Sequence, residues 1–372
     1  MKVLFISSSI GNGGREIAVV RLASLMNAGG HDVFVVIKKG TWLEREIASL
    51  HLPYAAFSIR KYFDPISLIK IGLKLRSFKP HMVQLHFISD IWHVSPAVKM
   101  FFNKTKIILF RHMQSSNMKD WARAKLFSAV YKVCAVSEFI KKDFLSKTNV
   151  SPDKVDVVYL GVDVEDYAKY DNIRKLRSEY KIDDNTVLVG LVGRIDRAKG
   201  QDKLVLAAEE ILKFKNNVKF AIIGKSEMIK ESGVEKPYDH IIKNLINEHG
   251  LEDYFIFTGF RRDVQEILSS LDVAVCASQE EAYGLVVVEA MAAARPIVVF
   301  DRGALPELVI NNETGKIVPY SVKGLARGIM DIISDPVLEQ KYGHNAREHV
   351  KIRFNINTTI KQIEGYINEE RF

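Results

Sequence analysis

The residue types best suited to chemistry lie in one segment of the second half of the chain. Glu281 and Glu289 are eight residues apart, the first in a predicted loop and the second inside a predicted helix that begins near Gly284. Carboxylates accept hydrogen bonds from hydroxyl groups, so this pair suits a ligand that carries sugars. The backbone N–H groups of Gly284 and Leu285 open the helix and would face a phosphate. The competing interpretation is that Glu281 caps the helix and Glu289 is exposed.

A second segment carries two cations between two glycines. Arg194 and Lys199 lie in the stretch from Gly193 to Gly200, directly after a predicted strand. In open α/β sheets, ligands bind in the loops at the carboxyl ends of the strands. A planar guanidinium and a mobile ammonium together suit the several oxygens of a diphosphate. For two loop cations alone, a solvated surface is the simpler explanation.

A glycine-rich turn follows the first predicted strand and leads into a predicted helix. It reads Gly11-Asn-Gly-Gly-Arg-Glu16, and its glycines would let a ligand approach the backbone closely. The dinucleotide fingerprint G-x-G-x-x-G needs a third glycine where this chain has Glu16, which excludes that class of site. The competing interpretation is an ordinary tight turn.

Two histidines each follow a predicted strand. His86 and His112 therefore belong at the carboxyl ends of strands, where either can act as a general base or hydrogen-bond donor near neutral pH. A histidine with a purely structural role is the competing interpretation for each. The sequence contains no H-E-x-x-H, C-x-x-C or D-x-D motif, so nothing in it implies a divalent metal site.

The composition is that of a globular chain. Hydrophobic residues make up 47% and charged residues 26% of the 372 residues, and this length predicts two domains. No apolar run approaches the roughly 18 residues that a membrane-spanning helix needs. Cys134 and Cys276 lie in apolar runs and are predicted to be buried free thiols. The chain is expected to be cytoplasmic, where disulfides are rare.

Positive charge is concentrated in the first half. Residues 1–165 hold 24 Lys and Arg against 13 Asp and Glu, whereas residues 166–372 hold 29 against 32. This asymmetry indicates a polyanionic partner, either nucleic acid or an anionic membrane surface, unless the surface is basic throughout. The segment Ile59–Lys79 mixes cations with apolar residues at helical spacing, which favours a lipid headgroup layer over a nucleic-acid groove. The competing interpretation is a core face with a solvated back.

Both halves alternate short, apolar, β-branched runs with helical stretches. The alternation begins at residues 2–8 and restarts at residues 187–192, after a polar stretch at 165–185 that is predicted to be the linker. Such a pattern predicts parallel sheets covered by helices on both faces. The fold class is therefore α/β, with two doubly wound, Rossmann-like domains.

Taken together, these segments resemble the large retaining glycosyltransferase family four, of the GT-B architecture. The resemblance covers nearly the whole chain. Residues 13–16 look like the opening of the family, residues 157–163 like its domain-end signature and residues 192–200 like its phosphate loop. Residues 281–289 are similar to its E-x7-E pair. The order and spacing of these segments are very specific, although each alone is weak.

The resemblance implies a domain plan. Residues 1–165 would form an N-terminal acceptor-binding domain and residues 166–354 a C-terminal nucleotide-sugar-binding domain, the two facing a central cleft. Residues 355–372 would form a helix that crosses back to the N-terminal domain.

The resemblance also implies roles for individual residues. Arg194 and Lys199 would hold the diphosphate and stabilise the leaving nucleotide. Glu281 would contact hydroxyls of the donor sugar and Glu289 the nucleotide ribose. The expected catalytic residues are His112, Arg194, Lys199 and Glu281, and the expected donor-binding residues are Gly13, Gly14, Arg194, Lys199, Glu281, Tyr283, Gly284, Leu285 and Glu289.

The implied reaction needs neither a metal nor a cofactor. The donor would be a nucleotide-diphosphate sugar, UDP- or GDP-linked, and the acceptor a glycan or a lipid-linked molecule, as in assembly of cell-surface polysaccharide or lipopolysaccharide. An anionic membrane surface is a further expected partner, with the chain peripheral on the inner face of the cytoplasmic membrane. Nucleic acid is not expected.

The chain departs from the family pattern at four positions outside the acidic and basic residues. No second glycine follows Gly224, and Tyr283 stands where phenylalanine is common, Ala294 where glycine is and Leu160 where asparagine is. Two other functions remain open. A hydrolysing sugar-nucleotide epimerase shares the two-domain form but lacks the E-x7-E context. Loss of Arg194, Lys199 or Glu281 would favour a non-catalytic binding subunit, but all three are present here.

Overall fold

The computed structural model describes residues 1–60, 62, 64–171, 173–231 and 234–368, without the side chains of residues 231 and 234. Lys61 and Phe63 of the predicted membrane segment lie outside these residues. The chain divides into two compact units. Unit 1 comprises Met1–Leu160 with Thr358–Phe372, and unit 2 comprises Gly161–Asn357. The predicted domain boundaries, after residues 165 and 354, stay predictions.

Unit 1 is built on a parallel sheet of seven strands. Its buried strands are rich in Val, Ile and Leu, as strands covered on both faces should be. The strand order is β3-β2-β1-β4-β5-β6-β7, so the order reverses between β1 and β4. The strands are β1 (Lys2–Ser7), β2 (Asp32–Lys38), β3 (Tyr54–Phe57), β4 (Met82–Leu85), β5 (Lys106–Arg111), β6 (Val130–Ala135) and β7 (Val155–Val157).

Six helices connect the strands of this sheet. Most begin at a side chain that accepts a hydrogen bond from the first turn, as Thr41, Asp64, Asp120 and Ser137 do. The helices are α1 (Gly14–Ala28), α2 (Trp42–Ser49), α3 (Pro65–Phe78), α4 (Ile91–Phe101), α5 (Trp121–Phe127) and α6 (Glu138–Lys147), with short 3₁₀ turns at Ile88–Asp90 and Pro152–Lys154.

Unit 2 contains a parallel sheet of six strands and a separate two-stranded antiparallel hairpin. The order of the large sheet is β12-β9-β8-β13-β14-β15, which reverses between β8 and β13. The strands are β8 (Val187–Val192), β9 (Val218–Ile223), β10 (Met228–Glu231), β11 (Val234–Pro237), β12 (Phe255–Gly259), β13 (Val273–Cys276), β14 (Ile297–Phe300) and β15 (Gly315–Val318). Strands β10 and β11 form the hairpin, which the sequence pattern did not predict.

The helices of unit 2 cover its sheet and enclose a core of aliphatic side chains with Phe220 and Phe300. They are α7 (Val164–Ala168), α8 (Lys175–Glu179), α9 (Gln201–Leu212), α10 (Asp239–Glu248), α11 (Val264–Ser269), α12 (Leu285–Ala292), α13 (Leu305–Leu308), α14 (Val322–Ile333) and α15 (Pro336–Arg353), with a 3₁₀ turn at Glu252–Tyr254.

The last helix, α16 (Ile356–Asn368), contacts unit 1 for most of its length. Its Thr359 hydroxyl donates to the Tyr159 carbonyl at 2.8 Å, and the Lys106 ammonium donates to the Tyr366 carbonyl at 2.9 Å. The Ile363 side chain is fully buried. These contacts tie the end of the chain to the sheet of unit 1.

The described part of the predicted linker at residues 165–185 includes helical segments. It contains helix α8 and most of helix α7, whose Tyr167 and Leu176 side chains are buried. Arg177 is also buried, and its guanidinium donates hydrogen bonds to two backbone carbonyls and to the Asp272 carboxylate. The few apolar side chains of this polar stretch, together with Arg177, therefore pack it against the rest of unit 2. Cys134 and Cys276 are buried free thiols, as predicted. Among the described residues, no helix is both long and apolar enough to span a bilayer.

Candidate functional site

Two loops of unit 2 flank the point where the strand order of its sheet reverses. Residues 193–200 follow β8 and residues 277–284 follow β13, and these two strands are neighbours in the sheet. Loops that diverge from such a point leave a crevice at the carboxyl edge of the sheet, where open α/β folds bind ligands. Both segments that the sequence singled out in this half of the chain therefore meet at one edge.

Close backbone packing holds the two loops together. Gly200 begins helix α9 at a φ of 74°, and a Cβ added to it would lie 1.9 Å from the carbonyl oxygen of Ala277. No residue larger than glycine fits there without moving the loop. The amide of Gln279 also donates to the Ala198 carbonyl at 2.8 Å. The positions of the side chains on the two loops are thus coupled.

A half-buried ion pair links the loops through their side chains. The Lys199 ammonium donates to a carboxylate oxygen of Glu281, which also accepts a hydrogen bond from the Ser278 hydroxyl at 2.8 Å. The two charged side chains are 25% and 13% exposed. Burial works against the charge of Lys199, but the adjacent Glu281 carboxylate holds its pKa above the usual value. Lys199 therefore remains a cation at neutral pH.

Arg194 points more openly to solvent. Its guanidinium donates to Glu227 at 2.8 Å, lies 3.4 Å from an Asp196 oxygen and is 54% exposed. Glu227 is held by the backbone, because its amide donates to the Ile195 carbonyl at 3.1 Å. Burial lowers the pKa of Arg194, but these carboxylates more than offset that effect, so its pKa is raised.

The remaining predicted donor-binding residues of unit 2 surround the start of helix α12. Gly284 begins this helix at a φ of 97°, a left-handed conformation that favours glycine. Leu285 and Glu289 are half-buried, Tyr283 is buried, and both Tyr283 and Glu289 have interaction partners. The backbone carbonyl of Glu281 accepts from the Ala304 amide at 2.8 Å, which fixes the loop before the helix.

Sequence reasoning missed two residues of this site. Ser278 lies three residues before Glu281, within the segment already singled out, and its hydroxyl was the available signal. Glu227 ends the Gly224-Lys-Ser-Glu stretch that departs from the family pattern. That departure could have indicated a carboxylate near Arg194.

The glycine-rich turn of unit 1 lies at the reversal point of its own sheet, after β1. Glu16 is buried and accepts hydrogen bonds from the Gly13 amide at 2.9 Å and from Arg15 at 2.8 Å. It thereby satisfies a free N–H group at the start of helix α1. Gly13 has a φ of −94°, and a Cβ on Gly14 would meet nothing within 4 Å. Neither backbone strain nor packing therefore requires glycine at these two positions.

The two predicted histidines of unit 1 contact each other. His86 Nδ1 lies 2.9 Å from His112 Nε2, and the His86 ring stacks on Phe110 with a centroid distance of 4.7 Å. Burial, with a smaller contribution from Arg15, lowers the pKa of His86 to about 3. Burial and the neighbouring His86 lower the pKa of His112 well below its usual value. Both rings are neutral at physiological pH, so they serve as hydrogen-bonding groups.

A buried carboxyl group lies on the same edge of the sheet, at the reversal point. Asp90 is 1% exposed and accepts a hydrogen bond from the Ser8 amide at 3.1 Å, while its other oxygen has no partner among the described residues. Burial raises its pKa to about 7, against the lowering effect of Ser8. No motif or spacing in the sequence singles out Asp90.

The structure thus brings Lys199 together with Glu281 and places Arg194 in the same loop as Lys199, within unit 2. In unit 1, Gly13 and Gly14 come after β1, and His112 comes directly after β5. Strand β4 separates these two strands in the sheet, so the three residues lie at the same sheet edge. The functional roles expected of all these residues stay predictions. No group of three or more His, Cys, Asp or Glu side chains in the described part of the chain could hold a metal ion.

The pH dependence of unfolding should report the buried groups of unit 1. Between roughly pH 4 and 6.5 the unfolded chain protonates His86 but the folded chain does not, so the free energy of unfolding should decrease as the pH is lowered, by up to about 1.4 kcal/mol per pH unit. His112, whose pKa is also lowered by burial, acts in the same direction. Asp90 acts in the opposite direction, because its folded carboxyl keeps a proton that the unfolded one releases. In urea titrations, Asp90→Asn should steepen the acid-side loss of stability and His86→Gln should flatten it.

His240, an exposed histidine on helix α10, provides the control. His240→Gln should leave the slope of unfolding free energy against pH as it is in the wild type. If the slopes of the Asp90→Asn and His86→Gln variants equal that of the wild type, the described protonation states are wrong.

Each half of the chain matches a known protein family model. The family model described as glycosyltransferase family 4 matches residues 12–166, and the model described as glycosyl transferases group 1 matches residues 172–349. The putative glycosyltransferase YtcC of Bacillus subtilis is 30% identical over 70% of this chain and 66% of its own length. Alpha-maltose-1-phosphate synthase of Mycobacterium tuberculosis is 29% identical over 62% of this chain and 61% of its own.

A third relative matches a shorter part of the chain. The lipopolysaccharide core biosynthesis mannosyltransferase LpcC of Rhizobium leguminosarum is 31% identical over 49% of this chain and 50% of its own. The chain thus spans half to two thirds of the length of these relatives.

Solved structures share the fold over the whole chain. Anabaena Alr3699/HepE in complex with UDP superposes with a TM-score of 0.84 at 22% identity, over 98% of this chain and 99% of that chain. A glycosyltransferase from Rickettsia africae superposes with a TM-score of 0.86 at 22% identity, over 100% and 99%. The two parallel Rossmann-like sheets are those of the GT-B architecture, and the predicted fold class is confirmed. With its two halves matched by the two family models, the chain belongs to the family 4 type of glycosyltransferases, glycosyl transferases group 1.

Proposed function

We propose that the protein transfers a sugar from a nucleotide-diphosphate sugar to a glycan or lipid-linked acceptor. The observation that carries this proposal is the arrangement at the reversal point of unit 2. There the Lys199 cation, the Glu281 carboxylate and the opening of helix α12 share one pair of loops, and Arg194 lies in the same loop as Lys199. Cations suit a diphosphate, and a carboxylate suits sugar hydroxyls.

In this mechanism the bond between the anomeric carbon and the diphosphate breaks as the acceptor oxygen bonds to that carbon. Negative charge grows on the leaving nucleoside diphosphate, and Lys199 and Arg194 stabilise it. Each cation already has a carboxylate partner, Glu281 and Glu227 respectively, so the diphosphate competes for them. Glu281, held by Ser278, would then orient the sugar hydroxyls. Glu289 would bind the ribose.

The proposal includes retention of the anomeric configuration. This part of the proposal rests on the resemblance of the chain to the retaining glycosyltransferase family four. We therefore expect the acceptor to attack from the face that the diphosphate leaves, with the acceptor proton passing to a diphosphate oxygen. In unit 1, His112 would act as a neutral hydrogen-bonding group toward the donor sugar, positioned by His86.

The donor and acceptor classes are proposed with the help of the relatives. Alr3699/HepE is crystallised with UDP and with UDP-glucose, which supports a UDP-linked donor, with a GDP-linked donor as the alternative. The relatives include a lipopolysaccharide core mannosyltransferase and a poly(ribitol-phosphate) alpha-N-acetylglucosaminyltransferase of Staphylococcus aureus. These names support assembly of a cell-surface polysaccharide or lipopolysaccharide. The proposed location of the protein is the cytoplasm. No cofactor is proposed.

Helix α3 supports docking of unit 1 on an anionic inner leaflet. Its Leu68, Ile71 and Leu75 side chains are buried, so part of the predicted apolar face is core. Its Ile66, Ile69 and Leu73 side chains are instead 65%, 50% and 57% exposed, beside the exposed Lys70 and Arg76. Lys74 is engaged over the Phe34 ring. An exposed apolar stripe flanked by cations suits a headgroup layer, where each cation is worth roughly 1 kcal/mol.

Loss of either Arg194 or Lys199 should lower the rate of sugar transfer strongly without unfolding the chain. Arg194→Ala and Lys199→Ala should each lower kcat about 100-fold, because removing a donor that stabilises the transition state typically costs on the order of 3 kcal/mol. The rate of donor consumption with UDP-linked and GDP-linked sugars measures this, and circular dichroism measures folding.

Arg197 offers a matched control, since it is an exposed cation of the same loop. Arg197→Ala should keep near-wild-type turnover. Near-wild-type turnover in both Arg194→Ala and Lys199→Ala would reject the assignment of the phosphate site.

Transfer should not depend on a divalent metal, because protein cations are proposed to face the diphosphate. Turnover with an accepted donor should be unchanged by excess EDTA after dialysis against the chelator. Abrupt loss of turnover that magnesium or manganese restores would contradict this proposal, even if the cation variants behave as expected.

The stereochemistry of the product tests the proposed direction of attack. A product formed from an α-linked donor should carry an α-linkage, because the acceptor attacks the face that the leaving group vacates. The ¹H coupling constant at the anomeric position, measured during the first turnovers, distinguishes the two outcomes. A β-linked first product would show inversion and require a different arrangement of groups.

A further inference from the structure

A groove outside the candidate site opens between helices α4 and α5 of unit 1. It encloses about 290 Å³ and is walled almost entirely by apolar groups. Trp92, Pro96 and Lys99 line it from α4 at positions i, i+4 and i+7, which share one face of a helix. Trp121 and Lys125 line it from α5 at i and i+4. Two helix faces therefore present the same combination, an indole followed one or two turns later by an ammonium.

The groove is a built feature of the fold. The Ser95 hydroxyl donates to the Leu126 carbonyl at 3.1 Å and so ties the two helices together at its base. Trp121 is 80% exposed, although a tryptophan side chain gains most from burial. An exposed indole that continues into an apolar groove forms a contiguous apolar patch, which is the kind of surface that serves for interactions.

The charge around the groove selects the chemistry of its occupant. Lys99 and Lys125 are exposed, and no acidic residue lines the groove. Within the described ranges, neither ammonium forms an ion pair with a carboxylate. An occupant with an apolar body and an anionic end would satisfy both the walls and the rim.

The groove shares a helical layer with the exposed stripe of helix α3. Helix α3 packs tightly on α4, since a Cβ added to Gly72 would come within 2.4 Å of the Phe101 ring. Met100, next to this contact, is 71% exposed. The exposed apolar side chains of α3, α4 and α5 are therefore carried by three consecutive helices of one unit, as a surface that enters a headgroup layer would require.

We propose that the groove between α4 and α5 binds one hydrocarbon chain of an anionic lipid, with Lys99 and Lys125 on its phosphate. The indoles of Trp92 and Trp121 flank the chain. This deepens the membrane-surface part of the proposed function, and it does not depend on sugar transfer. A peptide or a second copy of the protein is the competing occupant.

The tryptophans of the chain allow a direct measurement. Of its three tryptophans, Trp92 and Trp121 line the groove and Trp42 begins helix α2. In the Trp42→Phe variant, vesicles of phosphatidylglycerol with brominated acyl chains should quench the emission about twofold or more, because bromine quenches only at short range. Brominated phosphatidylcholine should quench it much less. The Trp92→Phe/Trp121→Phe variant, which emits from Trp42 alone, should respond to neither.

Matched substitutions separate the groove from its surroundings. Ala122 lines the groove and Ala124 of the same helix does not. In the Trp42→Phe background, Ala122→Glu should abolish the quenching while Ala124→Glu leaves it. Lys99→Gln/Lys125→Gln should reduce the preference for phosphatidylglycerol. Lys39 and Lys142 are exposed lysines of unit 1 that do not line the groove, so Lys39→Gln/Lys142→Gln removes the same charge and should leave the preference unchanged. Melting temperatures establish that each variant is folded.

A soluble probe separates the groove from docking through α3. Dihexanoyl phosphatidylglycerol below its micelle concentration should shift the emission of the Trp42→Phe variant to shorter wavelength, even when Ile69→Ser/Leu73→Ser prevents co-sedimentation with vesicles. Vesicle binding without quenching of the groove tryptophans would overturn the proposal while leaving α3 docking intact. Equal quenching by the two lipids would overturn the phosphate assignment. A dimer that Ala122→Glu dissociates, with no lipid response, would make the groove a self-interface instead.

Discussion

The ion pair between Lys199 and Glu281 is the interaction on which the candidate donor site depends. Its partners are 82 residues apart and meet only because the strand order of unit 2 reverses between β8 and β13. The backbones of the two loops approach so closely at Gly200 and Ala277 that position 200 cannot carry a side chain in this arrangement. Removal of either charged side chain would leave its partner half-buried without a counter-ion, which is costly. The pair therefore holds the two loops in place, in addition to the roles in donor binding that we propose for its side chains.

The cations proposed to bind phosphate are neutralised within the protein itself. Glu281 compensates Lys199, while Glu227 and Asp196 compensate Arg194. This arrangement keeps like charges from repelling each other at the mouth of the site, and it orients the side chains before a diphosphate arrives. It also limits affinity, since a diphosphate must replace carboxylates that are already in place. A site that must release a nucleoside diphosphate after each transfer benefits from that competition.

The sequence allowed the parallel sheets and the two loops of unit 2 to be predicted, because both depend on local patterns. Buried parallel strands appear as short apolar runs, and loops at their ends carry the glycines and charges. The partners of those charges could not be predicted. Glu227 is 33 residues from Arg194, and His86 is 26 from His112. No periodicity encodes such contacts, which arise from strand order. Helices α7 and α8 were not predicted because few of their residues are apolar.

The carboxyl edge of the unit 1 sheet has a different electrostatic character from the surface around it. His86 and His112 are neutral there, and the pKa of the Asp90 carboxyl is about 7, close to physiological pH. The Glu16 carboxylate neutralises the charge of Arg15. Arg111, at the end of β5, adds one buried cation to this edge. A hydroxyl group would find buried donors and acceptors there, whose desolvation was already compensated when the chain folded. Most of the excess positive charge of residues 1–165 lies away from this edge. We therefore propose two kinds of ligand for unit 1, a neutral sugar hydroxyl at the sheet edge and an anionic lipid at the helical layer.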